Sequence, residues 1–138
     1  RPALKIYEAK DKEALKELFK NAIFTQTMPS KERFDRYADA TFKQRNLIDA
    51  DYALTTFNMS HEHNGASEGS GTIDKVKGPV LVIQGSKDQI VSKDQYDSIR
   101  EGLGSKAECV EFENSGHAPM FDEQEAFFRT VSEFLKRD

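Results

Sequence analysis

An α/β fold with parallel strands and flanking helices is what this sequence predicts, and three observations predict it. A short apolar run, Pro79 to Gln84, is dense in β-branched residues, as a buried strand would be, and Glu108 to Phe112 is a second strand-like run. Between them lies one helix-length segment, and a strand, helix, strand order in one sheet gives a parallel pair whose carboxyl ends share one edge. Several amphipathic helical segments precede the first strand, and another follows the second.

The chain divides by composition into a helical segment over 1–60, a loop over 61–77 and a sheet-and-helix part over 78–138. The first helix is expected from Asp11 to Phe24, with Ala14, Leu15, Leu18, Phe19, Ala22 and Ile23 at helical spacing. Pro29 ends one element, and Ser30 caps the next, which carries Phe34, Tyr37, Ala38 and Phe42 on one side. A weaker helical pattern spans Ile48 to Met59. The stretch 60–75 is rich in Ser, Gly, His and Asn, lacks apolar periodicity and reads as a mobile surface connection.

After the first strand, Ser92 and Gln95 form a capping-box pair for a helix to Leu103. Tyr96, Ile99 and Leu103 make its inner face, and Gly102 and Gly104 supply a left-handed stop. Cys109 lies within the second strand and reads as a small buried hydrophobe. Asp122 and Glu125 repeat the capping pattern ahead of a last helix. Its stripe of Phe127, Phe128, Val131, Phe134 and Leu135 calls for burial worth about 1.5–3 kcal/mol per side chain.

Two loops carry the chemistry. Gly85 to Val91 brings Asp88 off the end of the first strand, and Asn114 to Pro119 brings His117 off the end of the second. Open α/β sheets bind ligands at that edge. An imidazole serving as a general base needs a carboxylate to fix its tautomer and stabilise its cation, and Asp88 and His117 fit those roles.

The run Val80 to Asp88, the sequence Gly116-His117-Ala118-Pro119 and the amphipathic stretch from Asp122 to Leu135 resemble the C-terminal part of an α/β-hydrolase. The resemblance implies that residues 1–60 correspond to the family's helical cap. It also implies that Asp88 and His117 are the second and third members of a triad in the order Ser, Asp, His. The reaction implied is attack of a serine on an ester, amide or similar acyl bond of a small-molecule substrate, with no cofactor and no metal. Related reactions of the family keep the same layout, so the reaction type stays open.

The nucleophile is the missing member. One literal Gly-x-Ser-x-Gly match, Gly65 to Gly69, would make Ser67 the nucleophile, but no strand precedes it and no helix follows. It is read as loop. The family's glycine-rich oxyanion segment is absent too, so the nucleophile and oxyanion hole are expected in a missing N-terminal half, and this chain alone is expected to be inactive. A start at Arg1-Pro2 without an initiator Met fits that expectation. The rival reading is a non-catalytic binding module that retains half of the fold.

Other partners are judged from charge and pattern. A net charge of −4 with no clustered Lys or Arg argues against nucleic acid. With no apolar run of membrane-spanning length and no signal-peptide pattern, a cytoplasmic location is expected. His61 and His63 alternate as metal ligands can, but no third ligand follows at a recognisable spacing. Phe19, Phe24, Met28, Phe34, Tyr37 and Phe42 read mainly as core. A strand as apolar as Val80 to Ile83 expects a neighbour at its edge, so the chain is expected to pair with its missing half or to self-associate.

Overall fold

Seven α-helices, two short 3-10 turns and two strands make up the regular structure of the computed structural model, which describes residues 2–137. Helices α1 (Pro2–Ala9), α2 (Lys12–Ala22), α3 (Lys31–Thr41) and α4 (Leu47–Thr56) come first. Strand β1 (Val80–Gly85), helix α5 (Lys93–Leu103) and strand β2 (Ala107–Phe112) follow, then the short α6 (Pro119–Asp122) and α7 (Gln124–Leu135). The strands form a two-stranded parallel sheet, so the fold is mixed α/β.

Two compact units make up the chain, and neither is continuous in sequence. One comprises 1–44, 83–92 and 111–138, and the other 45–82 and 93–110. The ends of both strands and the loops that follow them therefore belong to the first unit.

In the first unit, α2 begins where Asp11 accepts the Ala14 N–H at 3.0 Å, and α3 begins where Ser30 accepts the Arg33 N–H at 3.4 Å. Each cap satisfies an amide that the first turn leaves without a helical partner. Lys16 reaches Asp35 at 2.6 Å and pins α2 to α3. Phe24 and Phe34 are buried together with Ala118, and the Phe24 ring meets those of Phe34 and Phe121 edge to face at 5.5 and 5.2 Å. Such pairs add about 0.5–1.5 kcal/mol to the burial itself. Ala118 directly follows His117, so this aromatic core anchors the histidine loop.

Helix α1 lies ahead of the first helix expected from periodicity. Its Tyr7 stacks edge-on against Phe42 at 5.7 Å, and burial pushes the Tyr7 phenol up from its ordinary value. Lys10 then turns the chain with a φ of 50°, and the Lys10 and Asp11 N–H groups close the helix onto Tyr7 and Ile6 carbonyls. Met28 and Leu18 are exposed and do not join the core.

The second unit is centred on Ile73, Val82, Tyr96 and Leu103, with Met59, Val76, Val80 and Ala107 packed around them. Residues 58–75 are not a loose connection. Asn58 ties the segment together: its amide nitrogen donates to Glu62 and Ser67 carbonyls, and its Oδ1 accepts from the Ser60 N–H and hydroxyl. A 3-10 turn over Thr72–Lys75 delivers Ile73 to the core. Composition identified the segment as loop without showing that its polar side chains would satisfy one another.

Several expectations are corrected by the packing. Phe128 and Leu135 of α7 stand exposed and no residue of that helix is fully buried, because the described residues cover its stripe only in part, leaving Phe127, Val131 and Phe134 half-buried. Ile99 is exposed on α5, and α4 exposes Ile48, Tyr52 and Leu54. Cys109 is exposed as well, on the strand face it shares with Glu111 rather than the face of Phe112. Gly104 does supply the left-handed stop of α5, with φ 58°. Gly102 instead lies inside the helix, where a methyl group would meet Ile73 Cδ1 at 2.7 Å.

Candidate active site

The two loops meet at the carboxyl end of the strands, held first by backbone. Beyond the last strand residues, the Ser86 N–H donates to the Phe112 carbonyl and the Lys87 N–H to the Ser115 carbonyl, both at 2.9 Å. The parallel pairing thus continues past the strands into the loops. Gly85 permits this, since a Cβ there would run into the Ser115 and Gly116 carbonyls.

Asp88 is set by a tight turn. Its N–H donates to the Gly85 carbonyl at 3.0 Å, and its Oδ1 accepts the Ile90 and Val91 N–H groups at 2.7 and 3.1 Å. This is the self-bonding turn that aspartate favours. The other carboxylate oxygen, Oδ2, lies 3.0 Å from His117 Nδ1. The two site residues expected from sequence are therefore brought together.

Burial differs between the partners. The Asp88 side chain is 8% exposed and that of His117 34%, which leaves the acid shielded and the imidazole accessible. Burial pushes the Asp88 carboxyl up, but the Ile90 N–H, the His117 ring and the Val91 N–H together outweigh it and hold the carboxyl below its ordinary value. Asp88 is thus ionised at neutral pH. An ionised carboxylate only accepts, so the neutral imidazole carries its hydrogen on Nδ1 and keeps a lone pair on Nε2.

A second tier of carboxylates holds the histidine loop from behind. Glu123 Oε2 accepts the Asn114 N–H at 2.9 Å and the Ser115 hydroxyl at 2.7 Å, while Asp122 Oδ2 accepts the Gly116 N–H at 2.8 Å. These two residues escaped the sequence reading, which assigned Asp122 with Glu125 to a helix cap. Helix α7 starts at Gln124 with Glu123 in the cap position, and Glu123 makes no capping hydrogen bond. An acidic pair five and six residues beyond a loop histidine was the signal available.

Other candidates are engaged elsewhere. Ser67 donates its hydroxyl to the Thr56 carbonyl at 2.6 Å within the second unit, in a turn whose amides bond to Asn64 Oδ1. Neither a strand nor a helix flanks it, so it lacks the strained turn that exposes a nucleophilic serine. His61 Nε2 pairs with Asp74 at 3.1 Å and His63 Nδ1 accepts the Gly65 N–H at 2.9 Å, so the two imidazoles face different partners. Among the described residues no cluster of three or more His, Cys, Asp or Glu side chains is placed to hold a metal ion, and no helix is long and apolar enough to cross a membrane.

Compared with known proteins, the chain matches no family model and no curated protein.

Proposed function

We propose that this chain supplies the acid and histidine of a serine hydrolase of the α/β-hydrolase family. The observation that carries the reading is the bond of Asp88 to His117 Nδ1 at 3.0 Å, from an acid that is almost buried to an imidazole that is not. Its location at the carboxyl ends of parallel strands adds support, since ligands of open α/β sheets are bound there.

In this reading a serine from a part of the protein outside these 138 residues attacks the acyl carbon of an ester, amide or similar bond. His117 Nε2 takes the serine proton, and the resulting imidazolium returns it to the departing alcohol or amine. Water then attacks the acyl-enzyme while His117 removes its proton. The acyl–serine bond breaks as the imidazolium passes that proton to the serine oxygen, and the carboxylic acid product leaves with the serine hydroxyl and neutral His117 restored. Asp88 holds the Nδ1 hydrogen throughout and stabilises the cation without taking a proton itself. The exposed faces of α7 and α4 support a larger assembly of this kind, because apolar side chains left uncovered here find cover against further chain.

The test uses the protein expressed from the full reading frame that encodes these residues. It is expected to hydrolyse p-nitrophenyl acyl esters and to be labelled by a fluorophosphonate probe at a serine other than Ser67. His117→Ala should lower turnover by several orders of magnitude with an unchanged far-UV CD spectrum. Turnover that survives both His117→Ala and Asp88→Asn would overturn the roles. A full-length protein without hydrolysis or labelling would stand instead as a non-catalytic binding module.

A further inference from the structure

We propose that Asp122 and Glu123 are positioning residues of this site, whose carboxylates hold the backbone of 114–116 and thereby set the place and tautomer of His117. The proposal rests on the reading of Asp88 and His117 as a working pair.

Residues 113–118 lie between β2 and α6, outside any strand or helix, with a single turn in which the Ser115 N–H donates to the Phe112 carbonyl. Three donors in a row ahead of His117 nevertheless end on two carboxylates: the Asn114 N–H and the Ser115 hydroxyl on Glu123, and the Gly116 N–H on Asp122. From the opposite side the Ser115 carbonyl accepts the Lys87 N–H of the Asp88 loop. Ser115 is 0% exposed, so its peptide cannot move without breaking bonds on both sides. Bonds to ionised acceptors are stronger and shorter than neutral ones, which suits a clamp.

The carboxylates are themselves anchored. Phe121, immediately before them, packs its ring on Phe24 at 5.2 Å, and Ala118 lies in the same core. A helix-capping role would have turned the Glu123 side chain onto α7 amides, and it makes no such bond. The histidine loop is thus fastened to a rigid aromatic core through two acids. The geometry matters because a displacement of about 1 Å takes an imidazole out of hydrogen-bond reach of its acid and costs on the order of 10²-fold in rate.

The experiment is 15N NMR of the histidines in the 138-residue chain, read together with urea unfolding. In the unsubstituted chain neutral His117 should show one tautomer, with hydrogen on Nδ1. Glu123→Ala and Asp122→Ala should shift the population toward the Nε2–H form that free imidazole prefers, and Glu123→Gln, which keeps an acceptor oxygen, should restore the Nδ1–H form. Alanine variants that unfold at lower urea but keep the tautomer would reduce the acids to a structural role and overturn the proposal. Should those variants fail to fold, amide exchange in the unsubstituted chain decides: Gly116 and Asn114 are expected to be protected as strand amides are, and exchange at the rate of open amides would overturn it. Mixed tautomers in the unsubstituted chain would instead remove the Asp88–His117 reading, and the proposal with it.

Discussion

Asp88 carries two tasks with one side chain. Oδ1 closes its own turn onto the Ile90 and Val91 amides, and Oδ2 is left for His117, so the acid is oriented by its own turn as well as by the imidazole. The same bonds that orient it lower its proton affinity, and that links the site to stability. The folded chain binds this proton more weakly than the unfolded chain, so the Asp88 contribution is full above the ordinary value of 3.8 and is lost as pH falls through the lower folded value. Urea midpoints measured from neutral pH downward should therefore fall in acid, with a shallower fall in Asp88→Asn. Equal slopes for the two proteins would show that the carboxylate is no more strongly held in the fold than in the unfolded chain. Gly85 is the other residue on which the site turns. Alanine there should cost about 1–3 kcal/mol in urea unfolding, because its methyl group meets backbone carbonyls that cannot rotate away.

At the level of elements, Ser30 caps α3 as the sequence suggests, the cap expected of Asp122 and Glu125 on the last helix does not form, and the apolar stripes find cover only in part. Asp11 and Ser30 cap α2 and α3 because a short polar side chain ahead of a periodic run is a local instruction, met by an amide three residues on. The stripe of α7 is a request for a partner, and the helix receives cover for only part of it. Phe127 packs on Phe112 at 6.2 Å, while Phe128 stands 52% exposed and Leu135 74%. The short α6 has a different task, since it turns the chain so that Asp122 and Glu123 face back to the histidine loop.

For the whole molecule, uncovered apolar surface sets the expectation. A two-stranded parallel sheet has two edges, and parallel sheets are rarely left open to water. Together with the exposed faces of α7 and α4, this predicts that the 138-residue chain alone self-associates in a concentration-dependent way. Sedimentation velocity over a hundredfold range of concentration would check it. A monomer throughout, with the apolar side chains of α7 open to solvent, would count against it. Phe128→Glu should reduce the association if the α7 face contributes.

Much of the site was readable as text. Strand runs, the loop aspartate and the Gly116-His117 sequence are local patterns, and right-handed parallel connection brings both loops to one edge without further information. What the text could not carry is pairing at a distance. Nothing local tells that Ser115 will be sealed off with its carbonyl on Lys87, that Asp122 and Glu123 will bond a loop rather than cap a helix, or that residues 1–44 will share a compact unit with both site loops. Those outcomes follow from which surfaces meet, and a side chain with several possible partners is assigned one only when the rest of the chain has closed around it.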